Sequence, residues 1–174
     1  MVEKLLLTVL TRGLDESEVR AKTRAHAPEA LVSRYARRAA FRSLLLGVPG
    51  GGWALALGVV DVASSVNLRT EMAAAIAHHH DPELFEDPTW RQRVVGAAYG
   101  VPDDQRDVKN VAVRAVRDAV LRRGARMLVR RIATKTVPLA GGVVSAGLAY
   151  VWMTREGRRI DRTLRDEDVV NART

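Results

Sequence analysis

The chain has 174 residues, 47% hydrophobic and 28% charged, the proportions of a folded domain with a real core rather than a disordered or bulk membrane chain. It contains no cysteine, which excludes a disulfide framework, thiolate zinc sites and cysteine nucleophiles. Its net charge is +8, with Arg outnumbering Lys 24 to 4, a balance compatible with nucleic acid, an anionic membrane surface or simply an Arg-rich proteome.

Almost every segment reads at helical period and none alternates at period two. Val2–Arg12 is a short amphipathic segment ended by Gly13. Its apolar run is too short for a secretory signal and includes no small-residue cleavage site, so the expected location is cytoplasmic. Asp15 with Glu18 has the form of a capping box opening a helix over Glu16–His26. Pro28 suits the first turn of the next helix, which runs to about Leu46. Leu31, Tyr35, Ala39 and Arg42 fall in line on it, with Arg34, Arg37 and Arg38 on the far side.

The run Gly47-Val48-Pro49-Gly50-Gly51-Gly52 breaks the chain, and an apolar helix follows from Trp53 to about His80. Asp81-Pro82 and Asp87-Pro88 bracket a short acidic loop, and a helix from Pro88 ends at Tyr99 with Gly100 as its cap. Asp103–Lys135 reads as helical. Val137-Pro138 breaks it, and Leu139–Arg165 forms the last helix. The expected architecture is all-α: one compact helical bundle over residues 1–165, built around a glycine-broken, alanine-rich helix pair, with a frayed polar tail at 166–174.

Val48-Pro49-x-x-Gly52 recurs as Val137-Pro138-x-x-Gly141, an offset of 89 that also aligns Arg69 with Arg158. In the second copy Gly141, Ser145 and Ala149, and beside them Gly142 and Ala146, form small-residue stripes that would let two helices approach closely. Thr136–Thr154 holds nineteen uncharged residues, but past the Val-Pro break about fifteen remain, roughly 22 Å of helix against a hydrocarbon core of about 30 Å. A buried hairpin is therefore expected in place of a membrane span.

The glycine- and proline-rich break from Gly47, the following helix with Asp61, the run Ala73-Ala74-Ala75-Ile76-Ala77, the segment Val137-Pro138-Leu139-Ala140-Gly141-Gly142 and the turn Arg155-x-x-Arg158 together resemble the EcsC-like family. The resemblance covers roughly Arg42 to Arg165, and it implies a helical, membrane-associated bacterial accessory protein with no defined activity. His78-His79-His80-Asp81 departs from the Tyr-Gly-Asp type sequence expected there, and the chain is shorter than most members.

No motif carries catalysis. Gly142-x4-Gly147 is followed by Leu148-Ala149 rather than Lys-Ser/Thr and has no strand before it, so it is not a phosphate loop. The serines have no elbow or triad setting. His78, His79 and His80 are consecutive, so from a helix they point three ways and cannot converge on one ion. No metal or cofactor is implied.

Asp61 is the only formal charge between Arg42 and Arg69. A core-facing carboxylate must pair or protonate, and Arg155 or Arg158 of the last helix is the expected partner. Val101–Lys135 carries ten Lys/Arg against four Asp, a net +6, and no aromatic residue for stacking on bases. Arg114, Arg117, Arg126, Arg130 and Arg131 are its candidate anionic-surface residues, and Trp53, Tyr150 and Trp152 are of the types that favour membrane interfaces. The reading that follows is a non-enzymatic accessory or scaffold protein, peripheral to the inner face of the membrane or bound to an acidic protein partner. The alternative is a DNA-binding or nucleoid-associated helical protein. A homo-oligomer stays open.

Overall fold

The computed structural model describes residues 14–23, 27–47, 53–101, 110–111, 113–114, 117, 121 and 140–171, and the side chains of all of these except 45–47, 53–63, 140–141 and 167–171. Among the described residues the protein is all-α: α1 (Glu16–Thr23), α2 (Pro28–Gly47), α3 (Trp53–His80), a 3-10 turn (Leu84–Glu86), α4 (Trp90–Tyr99) and α5 (Ala140–Asn171), with no strand. The expected segments Val2–Arg12 and Val137-Pro138, and most of Asp103–Lys135, lie outside the described residues. Asn110, Val111, Val113, Arg114, Arg117 and Leu121 of the last are helical.

Local chemistry explains most helix ends. Asp15 Oδ1 accepts the amides of Ser17 (2.8 Å) and Glu18 (3.3 Å), capping α1, and the buried Leu14 and Val19 take the two positions of a hydrophobic staple. Ion pairs Arg20–Glu16 (2.8 Å) and Lys22–Glu18 (2.5 Å) then run along its surface at four-residue spacing. Pro28 stands first in α2, where its missing amide costs no helical bond. Beyond α3, Asp87 Oδ1 accepts both the amide and the hydroxyl of Thr89 at 2.7 Å, just before α4. Gly100 ends α4 in the left-handed region (φ 65°), with Val101 N–H donating to Gly96 C=O (3.0 Å) and Gly100 N–H to Ala97 C=O (3.3 Å), a Schellman closure.

Both aspartate turns respond to acid. The Ser17 hydroxyl, with the amides of Glu18 and Ser17, holds the Asp15 carboxyl below its ordinary value of 3.8, and the Thr89 hydroxyl and amide do the same for Asp87. A depressed folded-state pKa stabilises the fold above the unfolded value and ceases to as pH falls through the folded one. Wild type is therefore expected to melt above Asp15→Asn/Asp87→Asn at neutral pH, with the gap closing below about pH 4. A gap independent of pH in acid melting curves would contradict this.

The core gathers on α3. Met72 to Ala77 are six consecutive buried apolar residues, so this stretch is covered on every side, and α3 packs on each of the other four helices. Its alanines allow those neighbours close. α2 contributes Leu31, Val32, Tyr35 and Ala36, and α4 contributes Trp90 and Val94 to Tyr99. The most extensive pairing among the described helices is nevertheless α2 with α5, whereas the sequence suggested α3 with α5 as the central pair. α2 and α5 run antiparallel, with Leu44 beside Gly142 at one end and Val32 beside Gly157 at the other.

On α5 the inward stripe is Gly142, Ala149, Met153, Gly157, Ile160 and Leu164. The expected small-residue contact at Gly142 is real but loose: an added Cβ would meet Leu44 Cδ1 at 3.4 Å. Ser145 and Ala146 are half-buried, and Gly147 faces open space. The tight approach lies at Gly157, where a Cβ would stand 2.6 Å from Val32 Cγ2, 2.7 Å from Val32 Cγ1 and 3.1 Å from Met72 Sδ. α5 also continues to Asn171, so 166–171 are helical where a frayed tail was expected.

Arg42 sits on the exposed side of α2, not in line with the core, and donates to Ser64 Oγ of α3 at 2.7 Å. Tyr35, by contrast, is fully buried with no hydrogen-bond partner for its hydroxyl among the described residues. Burial, and then the charge of Glu71, push its pKa up. Tyr35→Phe removes an unsatisfied polar group, so stability is expected to hold or to rise by about 1 kcal/mol in urea titration. A loss of that size would show that the hydroxyl is satisfied.

Candidate anion-binding face and cleft

α5 divides along its length. Its exposed face runs Val144, Leu148 and Val151, then Arg155, Arg158 and Arg162, at spacings alternating four and three, so all six share one side of the helix. Tyr150 and Trp152 flank the apolar half, with Trp152 40% exposed, and Phe41 of α2 is 62% exposed. The helix thus presents an aromatic and aliphatic surface that passes directly into a basic one. Buried positions on the opposite side anchor it, which is why these groups stay outward.

At the basic end a cleft of about 600 Å³ opens between the start of α2 and α5. Pro28, Glu29, Val32 and Ser33 line one wall, and Tyr150, Thr154, Arg158, Asp161, Arg162 and Arg165 the other. Asp161 is engaged at both oxygens: His80 Nε2 lies 2.8 Å from Oδ1, and Arg165 Nη2 donates to Oδ2 at 3.1 Å. Arg162 Nε donates to the Arg158 carbonyl at 3.3 Å. The Arg158 guanidinium has no ion pair among the described residues.

Inside the fold lies a second charged cluster that the sequence did not point to. Arg69, 1% exposed, donates to Glu156 Oε2, which also accepts Arg159 Nη2 at 2.9 Å. The Arg69 guanidinium lies over the Tyr99 ring, 4.6 Å from its centroid. Arg159 also donates to the Ala98 carbonyl (2.8 Å) and Arg114 to that of Gly100 (2.6 Å), so two cations meet the negative end of α4. The cluster ties α3, α4 and α5 together and is structural in character.

The sequence candidates fall as follows. Arg114 and Arg117 are exposed, Arg114 with part of its guanidinium spent on Gly100. Arg126, Arg130 and Arg131 lie outside the described residues, as do the side chains of Trp53 and Asp61. Tyr150 and Trp152 are exposed on α5. Arg155 and Arg158 are exposed too, and among the described residues the buried arginine is Arg69, paired with Glu156. The echo that aligned Arg69 with Arg158 therefore joins a buried position to a surface one. The three histidines separate only in part: His78 packs its ring 4.8 Å from that of Phe85, while the exposed His79 ring stands edge-on to that of His80 at 5.7 Å, and His80 meets Asp161. Among the described residues no group of three His, Cys, Asp or Glu side chains could hold a metal ion.

Missed by the sequence reading were Glu156, Arg159, Arg162 and Arg165. A signal for the last two existed: Arg155, Arg158, Arg162 and Arg165 follow three-four-three spacing, which aligns them on one helix face. Among the described residues no helix is long and apolar enough to cross a membrane. The fold and face define an all-helical protein with an amphipathic outer helix and a basic cleft. Comparison of the chain with protein-family models, characterised proteins and solved structures finds no match.

Proposed function

We propose that the protein is a non-enzymatic accessory protein that binds an anionic membrane surface peripherally, with α5 as its contact. The observation that carries this reading is the passage, on one exposed helix face, from Val144, Leu148 and Val151 to Arg155, Arg158 and Arg162. Apolar groups of this kind gain free energy at the boundary between headgroups and acyl chains, and Tyr150 and Trp152 are the residue types that settle there. The arginines stay at headgroup level, each contributing about 1 kcal/mol near an anionic surface and less as salt rises. The net charge of +8 favours the same kind of surface, and the EcsC-like resemblance belongs to the same proposal.

Co-sedimentation tests it. The protein is expected to pellet with vesicles containing anionic lipid, to ignore neutral ones, and to release at high salt. Arg155→Gln/Arg158→Gln/Arg162→Gln is expected to lose about 3 kcal/mol of binding at most, with an unchanged melting temperature because all three positions are exposed. Retention of duplex DNA with indifference to anionic vesicles would put nucleic acid in the place of lipid. Indifference to both would leave an acidic protein partner as the reading.

A further inference from the structure

We infer that the cleft between the start of α2 and the basic half of α5 is a site for a phosphate monoester. Its size, about 600 Å³, falls in the range of small-ligand sites and admits a compact phosphorylated headgroup or metabolite. What selects the ligand is the state of the charges around it. Asp161, which lines the cleft beside the arginines, has one oxygen on His80 and the other on Arg165. It therefore neutralises neither Arg158 nor Arg162. Among the described residues Arg158 keeps its whole guanidinium, and Arg162 spends only Nε, on a backbone carbonyl, leaving both terminal nitrogens. Two guanidinium forks one helical turn apart can each take two oxygens of one phosphate. A monoester, with between one and two negative charges and three terminal oxygens, uses both forks where a carboxylate uses one.

The uncharged groups agree with this. Ser33 Oγ accepts Arg37 Nη2 at 3.2 Å, which leaves its own proton to donate, and the Tyr150 hydroxyl is on the opposite wall. Thr154 is spent, donating to the Tyr150 carbonyl at 2.9 Å. Pro28 opens α2 at the same place, so the positive end of that helix dipole adds to the field without itself making the site. Glu29 is the opposing feature: its exposed carboxylate lines the cleft and repels an anion. Its presence makes a sharp expectation, since Glu29→Gln should tighten phosphate binding as Arg158→Gln weakens it.

The lipid arm of this inference rests on the membrane reading; the soluble arm does not. Two probes separate them: glycerol 3-phosphate by titration calorimetry, and vesicles of phosphatidic acid or phosphatidylglycerol matched in surface charge. Glycerol 3-phosphate is expected to bind saturably at one site, with Arg158→Gln/Arg162→Gln weakening it at least tenfold and Glu29→Gln strengthening it about two- to fivefold. Unchanged melting temperatures in these exposed-site variants keep the comparison one of binding. Preference for phosphatidic acid, lost in the double arginine variant, would support the lipid as source. Saturable glycerol 3-phosphate binding with neither vesicle bound would support a soluble ester and overturn the membrane reading alone. Equal binding of the two vesicles without saturable glycerol 3-phosphate binding would overturn the cleft and leave the membrane reading standing. No binding of any probe would overturn both.

Discussion

Glu156→Ala is expected to lower the unfolding free energy by about 3–5 kcal/mol, the largest single effect in the molecule. Arg69 is 1% exposed, and Glu156 is its anionic partner. Removing that partner leaves a guanidinium in the core without its carboxylate, and the Tyr99 ring, a contact of about 2 kcal/mol at best, offsets only part of that loss. Arg159 would lose the same carboxylate but is one-third exposed and can turn to water. The pair itself is a different quantity from the cost of breaking it. Replacing both members by apolar side chains, Arg69→Met/Glu156→Leu, is expected to recover most of the loss, because the desolvation of two charges disappears along with their attraction. Urea titration of the three variants decides the point. A loss below about 1 kcal/mol for Glu156→Ala would contradict this, and would mean that water or another group compensates the Arg69 charge.

Gly157→Ala is expected to cost about 1–3 kcal/mol, although alanine is the better helix former. The added Cβ would stand 2.6 Å from Val32 Cγ2 and 3.1 Å from Met72 Sδ, where three helices meet. Val32 is branched at its own Cβ and sets both methyls against the new carbon, 2.6 and 2.7 Å away, so a rotation that moves one aside does not clear the site and the helices must part. Gly147→Ala is the control on the same helix. Its Cβ would meet nothing within 4 Å, so the propensity gain of about 0.5–1 kcal/mol stands alone and the variant should melt higher than wild type. Two glycine-to-alanine changes in one helix are thus expected to act in opposite directions. Equal effects of one sign would remove Gly157 as a close contact.

Helix ends were legible because their causes are local. Asp15, Pro28 and Gly100 act through bonds within a few residues, and each marks its end as expected. What escaped were features fixed by the register of one helix against another. Nothing local tells that Arg69 faces inward and stops beside Glu156, eighty-seven residues later, or that Gly157 rather than Gly142 takes the tight approach. The end of α5 was misplaced for another reason: Asp166 to Asn171 lacks a glycine or proline to stop the helix, and polarity was read as fraying. The basic face of α5 lay between these cases. Its spacing is visible in the sequence, but spacing alone does not separate a surface patch from partners for Asp61, and the larger excess of charge lies at Val101–Lys135.

On the proposed function the apolar half of α5 enters the membrane boundary while its arginines stay at the headgroups. Vesicles with bromine-labelled acyl chains and anionic headgroups test it through tryptophan emission, since bromine quenches only on contact. Wild type is expected to show partial quenching that grows as vesicles are added, and Trp152→Phe to lose most of it while still pelleting through its arginines. Full quenching in Trp152→Phe would assign insertion to another tryptophan. A wild type that pellets with these vesicles and shows no quenching would contradict the claim, leaving α5 as a purely electrostatic contact.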